Sequence, residues 1–99
     1  MTINKTIENG TLTLSLEGKV SVSTSPRLQE ALIPALDEAG SVILDFSNIT
    51  FVASAGLRVL LIGQETANEK GVSLTLRGVS DEVMEVFEMT GFSDILTIV

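Results

Sequence analysis

Leu12, Leu14 and Leu16 alternate with Thr11, Thr13, Ser15 and Glu17. A period of two puts every apolar side chain on one face, an arrangement that suits a half-buried strand. Further along the period changes. Leu28, Ala31, Leu32, Ala35, Leu36 and Ala39 recur at intervals of three and four, the stripe of an amphipathic helix. Val42-Ile43-Leu44-Asp45-Phe46 returns to an apolar strand, Leu57, Leu60, Leu61 and Ala67 form a second helical stripe, and Val72, Leu74 and Leu76 alternate again. Val83, Val86 and Phe87 mark a third helix, and Ile95 to Val99 reads as a last short strand. Asn9-Gly10 is a hairpin signal, so residues 3 to 7 pair back as an edge strand. The order is β-β-α-β-α-β-α-β. Strands that alternate with helices need crossover connections, so the expected α/β fold has a small, mixed, mostly parallel sheet with helices mainly on one face.

The breaks between patterns carry their own signals. Gly18 is expected to end the second strand, and Ser47-Asn48 to form a turn after Phe46. Ser25 before Pro26 reads as a helix N-cap, because proline at the first helical position has no amide hydrogen to leave unpaired. Gly40, Gly71 and Gly91 are expected helix ends. Ser80 caps the third helix, with Asp81 and Glu82 in the first turn where the helix dipole favours them. The chain has 99 residues, the size of one domain, assigned here to residues 1–99.

Composition removes whole classes of chemistry. There is no His and no Cys, so the usual zinc ligands, the thiolate nucleophile and the general base that works near neutrality are all missing. No cofactor, metal or enzymatic activity is expected. Thirteen acids against six bases give a net charge of −7. Such a surface repels phosphate backbones and anionic lipid, so neither nucleic acid nor membrane is an expected partner. The opening MTINKTIENG has neither the basic nor the apolar region of a signal peptide, and a cytoplasmic protein-binding module is expected.

One stretch stands out, F-V-A-S-A-G-L-R-V-L-L from Phe51 to Leu61. Ser54 lies among small residues where a strand gives way to a helix. The simplest reading is an N-cap. A nucleophile is a poor reading, since Val52-Ala53-Ser54-Ala55-Gly56 half-matches a nucleophile elbow but no His exists to activate the hydroxyl. A phosphoacceptor or a docking surface also fits, because the small flanking residues let another protein approach and a phosphate there adds about −1.5 to −2 charges. The nearby Ser21, Ser23, Thr24 and Ser25 read as a polar turn rather than a phosphate cradle, as no glycine-rich loop or lysine accompanies them. Asp45 is expected to accept hydrogen bonds from turn amides.

V-I-L-D-F-S-N-I-T-F-V-A-S-A-G-L-R-V-L-L, residues 42–61, resembles the central segment of STAS domains, the family of bacterial anti-sigma factor antagonists and the cytoplasmic domains of sulphate transporters. Asp45, Ser54, Gly56 and Leu57 match the family pattern, as do Gly18, Thr24 and Leu28 upstream. The resemblance extends to G-V-S-L-T-L-R-G-V-S-D-E-V-M-E-V-F-E-M-T-G-F-S-D-I-L and so covers nearly the whole chain. It implies an anti-sigma factor antagonist that binds a serine-kinase anti-sigma factor with an ATP-binding fold. It further implies that the kinase phosphorylates Ser54 and ends the binding, and that a PP2C-like phosphatase restores it. Partner contacts are expected at Ser21, Ser23, Thr24, Val52, Ala53, Ala55, Gly56 and Arg58. The chain departs from the family at two places: Ala53 and Ser21 stand where the family usually has aspartates. That departure raises the alternative of a non-switching STAS scaffold, or a subunit of a stressosome-like or lipid-transport-like complex, in which Ser54 is poorly phosphorylated.

Overall fold

The computed structural model describes residues 1–99. Strands β1 (Thr2–Glu8), β2 (Thr11–Val20), β3 (Ser41–Val52) and β4 (Ser73–Arg77) form one sheet in the order β1-β2-β3-β4. β1 and β2 are an antiparallel hairpin, closed by Asn9 and Gly10 at φ 52° and 81°. Positive φ at both central residues matches the twist of the flanking strands. β2, β3 and β4 run parallel, joined by helices α1 (Ser25–Ala35) and α2 (Ser54–Lys70). α3 (Asp81–Thr90) follows β4, then a 3-10 turn at Phe92–Asp94.

The alternation seen in the sequence sets the layers. Leu12 pairs with Val42 and Leu14 with Leu44, while Val42 and Leu44 pair in turn with Leu74 and Leu76. All six are buried, on the face that the helices cover. α1 adds Leu28, Leu32 and Leu36 to this core, α2 adds Leu57, Val59 and Leu60, and α3 adds Val83 and Phe87. The Phe87 and Phe46 rings meet 6.3 Å apart at 53°, which ties α3 to β3. On the opposite face Thr13, Ile43 and Thr75 line up across the sheet without a covering layer.

Four expected breaks fall elsewhere. β2 runs through Gly18 to Val20; Gly18 takes φ +113°, open to glycine, and carries the strand on opposite a register shift in which β3 holds the extra residue, Thr50. β3 likewise runs through Ser47-Asn48 to Val52. The Asp45 carboxylate accepts both the N–H (3.0 Å) and the hydroxyl (2.6 Å) of Ser47. This local bonding accompanies an irregularity in the ladder, and the inward residues pass from Val42, Leu44 and Phe46 to Ile49 and Val52. Ser25 does not cap α1. It lies in the first turn, buried, and its hydroxyl donates to the Val22 carbonyl at 3.3 Å, while Thr24 holds the capping position. α1 stops at Ala35, short of Gly40. Pro34 removes a donor in the last turn, and the chain finishes in tight turns from Asp37 N to Pro34 O and from Glu38 N to Ala35 O.

The closing strand is reduced to one parallel bridge, Ile98 to Leu76. Leu76 N–H donates to Thr97 O and Val99 N–H to Leu76 O, both at 2.9 Å. The chain thus returns to the free edge of β4 for a single register position.

Candidate functional site

β2 and β3 end side by side at Val20 and Val52, and the starts of α1 and α2 gather at that end of the sheet. The Ala53 N–H donates to Val20 O at 2.8 Å, which joins the start of α2 to the end of β2. Gly56 explains how closely they pack. A Cβ there would lie 2.6 Å from Val20 Cγ1 and 3.0 Å from Val52 Cγ1. Only glycine lets the helix start settle on these two valines.

Ser54 is exposed on the first helical residue of α2. The capping position belongs to Ala53, at φ −82° and ψ 168°, and Ala53 has no side-chain oxygen to offer. The expected N-cap role of Ser54 is therefore not what the structure has: the serine sits one residue too far along. Its hydroxyl makes no bond within the chain and is open to solvent. The Ser54 and Ala55 amides have no partner along the helix and no capping side chain, while Gly56 N–H donates to Ala53 O at 2.9 Å.

The loop from Ser21 to Thr24 is bonded to itself. Thr24 Oγ1 donates to Lys19 O at 2.7 Å and accepts from Ser21 N at 2.8 Å. Ser21 Oγ lies 3.0 Å from Ser23 Oγ and 3.2 Å from Thr24 Oγ1. These hydroxyls hold a turn, the role expected of them, and fix the loop that follows β2.

The expected contact residues divide. Ser21, Ser23, Thr24, Ala53, Ala55 and Arg58 stand at this end with at least part of their surface free. Val52 and Gly56 do not: Val52 is 4% exposed and Gly56 is buried against it, so both shape the surface from below. Two apolar residues that sequence reading passed over stand out instead. Val22 is 72% exposed and Phe51 49% exposed. The signal for Phe51 was hidden by the bulge, which ends the period of two, and Val22 looked like a continuation of the alternation after Val20. Lys19, paired in register with Phe51, and Arg58 are exposed and form no ion pair. Lys5, Lys70 and Arg77 are each bound to a carboxylate, on Glu38, Asp37 and Asp45.

Asp45 lies further back along β3. Ser47's hydroxyl and then its N–H hold the Asp45 carboxyl below its ordinary value of 3.8, with burial opposing and Arg77, at 3.3 Å, adding to the effect. Its role is to lock the bulge of β3 and tie β3 to β4.

The family model described as "Mlab, STAS domain" matches residues 3–98. The chain belongs to the STAS family. A relative named anti-sigma-B factor antagonist, from Listeria monocytogenes, is 32% identical over 82 residues, which cover 82% of this chain and 72% of the relative. Among solved structures, an anti-sigma factor antagonist from Mycobacterium paratuberculosis superposes with a TM-score of 0.88 at 19% identity, covering 98% of this chain and 83% of that one. The phosphorylated form of the Bacillus cell fate determinant SpoIIAA gives a TM-score of 0.75 at 15% identity, covering 99% of this chain and 91% of that one. The fold of this STAS chain is thus the one expected from its sequence. No helix in it is long and apolar enough to cross a membrane.

Proposed function

We propose that this STAS domain is an anti-sigma factor antagonist that docks on a serine-kinase anti-sigma factor and is released by phosphorylation of Ser54. The observation that carries the reading is the idle hydroxyl. Ser54 is exposed, bonded to nothing and set at a helix start between Ala53 and Ala55, at the end of the sheet where Val22 and Phe51 are also exposed. A serine kept for helix stability would cap; this one is presented. Small neighbours let a kinase active site reach the oxygen, and the apolar residues give a docking partner area to cover. Relatives named as anti-sigma-B factor antagonists support the class of partner, and the phosphorylated structural neighbour supports a modified state of the same fold.

In the proposed reaction Ser54 Oγ attacks the terminal phosphorus of ATP held by the kinase. ADP leaves, and the hydroxyl proton passes to a base on the kinase. The dianionic phosphate then sits on the helix start that a docking partner would cover, and desolvating it opposes rebinding. A phosphatase that hydrolyses the ester restores the hydroxyl.

The test uses the kinase-type anti-sigma factor encoded in the same genome, with ATP and intact-mass measurement. One added phosphate on the parent and none on Ser54→Ala is the expected result. Ala55→Arg should abolish docking while the domain stays folded. Equal labelling of the parent and Ser54→Ala would remove the switch.

A non-switching STAS subunit is the second reading, and one observation favours it. Ala53 fills the capping position next to the acceptor, where the family usually has an acid, and Ser21 likewise replaces an acid in the adjoining loop. If the kinase uses those acids for recognition, Ala53→Asp raises the labelling rate. If the parent is never labelled and Ala53→Asp is, this second reading holds.

A further inference from the structure

Arg58 follows Ser54 by four residues in α2, so the two side chains share a face one turn apart, with Cβ atoms about 5–6 Å from each other. Helical side chains lean toward the N-terminus, so Arg58 covers the turn that carries Ser54. The guanidinium has no rival partner. Ala55, Leu61 and Ile62 occupy the other positions three or four residues away, none of them acidic. No carboxylate from another element binds it, in contrast to Lys5, Lys70 and Arg77. The residues before Ser54 in the helix start and at the head of the adjoining loop, Ala53 and Ser21, are uncharged. At this end of a domain of net charge −7, the charged side chains on the adjoining elements are Lys19 and Glu17 on β2 and Arg27 on α1, and Arg27 is bonded to the Met1 carbonyl.

We propose that Arg58 clasps a phosphate on Ser54 and is thereby withdrawn from the docking surface. In the unmodified chain the guanidinium stands free in solvent beside Ala55, a cation available to an acidic group on a docking protein. In the modified chain it folds back over one helical turn onto the phosphate oxygens, a planar donor fork meeting an anion that accepts two parallel bonds. The modification then changes two charges at once on the face that docks: it adds an anion and removes the free cation. The pairing stands on two side chains and their spacing. It rests on the reading of Ser54 as the acceptor, and it is open to a test in which no kinase or partner takes part.

The experiment is chemical synthesis or ligation of the full 99-residue chain with phosphoserine at position 54, in the parent sequence and in Arg58→Gln, Arg58→Lys and Lys19→Gln. Phosphorus NMR follows the second ionisation of the phosphate, which lies near 6 without a partner. The clasp predicts that this ionisation falls lower in the parent than in Arg58→Gln by roughly 0.3 unit or more. Arg58→Lys is expected to keep part of the shift and Lys19→Gln nearly all of it. Nitrogen NMR of the parent should also show the Arg58 side-chain N–H resonance move on phosphorylation. The same ionisation in the parent and in Arg58→Gln, with an unmoved Arg58 resonance, overturns the clasp. Because phosphoserine is installed by synthesis, that failure leaves the kinase test of Ser54 unaffected, and a failure of the kinase test leaves the clasp standing as chemistry.

Discussion

Ser54 and Ser80 stand at the starts of two helices in the same domain, and they do opposite things. Ser80 is a cap: its backbone is extended, its hydroxyl accepts the Val83 N–H at 3.3 Å, and Asp81 and Glu82 complete a first turn suited to the helix dipole. α2 begins on Ala53 with no capping oxygen and no acid in its first turn, and Ser54 stands idle beside it. From the sequence both serines read as caps. The difference is that one helix start is capped by its serine and the other leaves its serine exposed and unbonded. α2 can forgo its cap because Gly56 seats it on Val20 and Val52, and because Leu57, Val59 and Leu60 bury its first turns.

The largest effect should come from disturbing that seat. Gly56→Ala gains helix propensity but drives a methyl to 2.6 Å from Val20 Cγ1, between two side chains that are stiff at their branched carbons. Overpacking of this kind costs about 1–3 kcal/mol, and we expect it to prevail. Urea unfolding of the parent and the variant checks this. An equally stable variant would mean that the helix start is not held by close contact with the strand ends.

Ser80→Ala comes next. Loss of the Val83 N–H bond should cost about 1 kcal/mol. Ala53→Asp reverses the comparison by giving α2 what α3 already has. A carboxylate at the capping position can take a free amide of the first turn, and the expected gain is about 0.5–1 kcal/mol at neutral pH. Ala53→Asp alone should bring the start of α2 toward the protection of α3 in amide hydrogen exchange, and the two changes together should reverse the contrast. If Ala53→Asp stabilises nothing, the amides at this end already have partners and the contrast with α3 is weaker than drawn.

What the sequence revealed and what it concealed follow from the range of the forces involved. Periodicity placed the strands, the helices and the covered face because it records burial directly, as Leu12, Leu14 and Leu16 do. It failed where one local bond redirects the chain. Asp45 binding Ser47 turned an expected turn into a bulge of β3, and Gly18, at a φ open to glycine, carried β2 past its expected end. The shift moved Phe51 to the surface, and the alternation hid Val22. Ser21, Ser23, Thr24, Ala53, Ser54, Ala55 and Arg58, grouped from the sequence, stand at one end of the sheet with surface free, while Val52 and Gly56, expected at the surface, are buried, because nothing in the sequence says which small residue lies beneath a helix. The helix cap moved by a single residue, too small a step for spacing to resolve.

A smaller effect is expected from pH. The Asp45 carboxyl is held below 3.8 in the folded chain, first by the Ser47 hydroxyl. A carboxyl with a depressed folded value stabilises the fold above its unfolded value, and that contribution fades as pH falls through the folded one. Asp45→Asn should therefore flatten the loss of stability below about pH 4 and change the slope little near neutrality, as read from urea midpoints across pH. Because Asp45 lies back from the helix starts, this variant should leave the Ser54 surface intact. An altered labelling of Ser54 in Asp45→Asn would show that the bulge of β3 also positions the site.

The smallest predicted change in stability belongs to Ser54→Ala, and it bears most directly on the comparison. If the hydroxyl were a cap, its removal would cost about 1 kcal/mol, as at Ser80. In the structure it bonds to nothing, it is exposed, and alanine is the better helix former at a helical position. The expected change is within about 0.5 kcal/mol, in the direction of a slight gain. Placed beside Ser80→Ala in the same denaturant series, the two variants make a direct pair: one serine removed from each helix start, one transition moved and the other not. A loss on Ser54→Ala equal to that on Ser80→Ala would return Ser54 to the role of a cap and take away the main reason to regard it as an acceptor. No loss, together with a phosphate accepted by the parent and refused by the variant, would mean that this hydroxyl is held in place for a partner and contributes nothing to the fold.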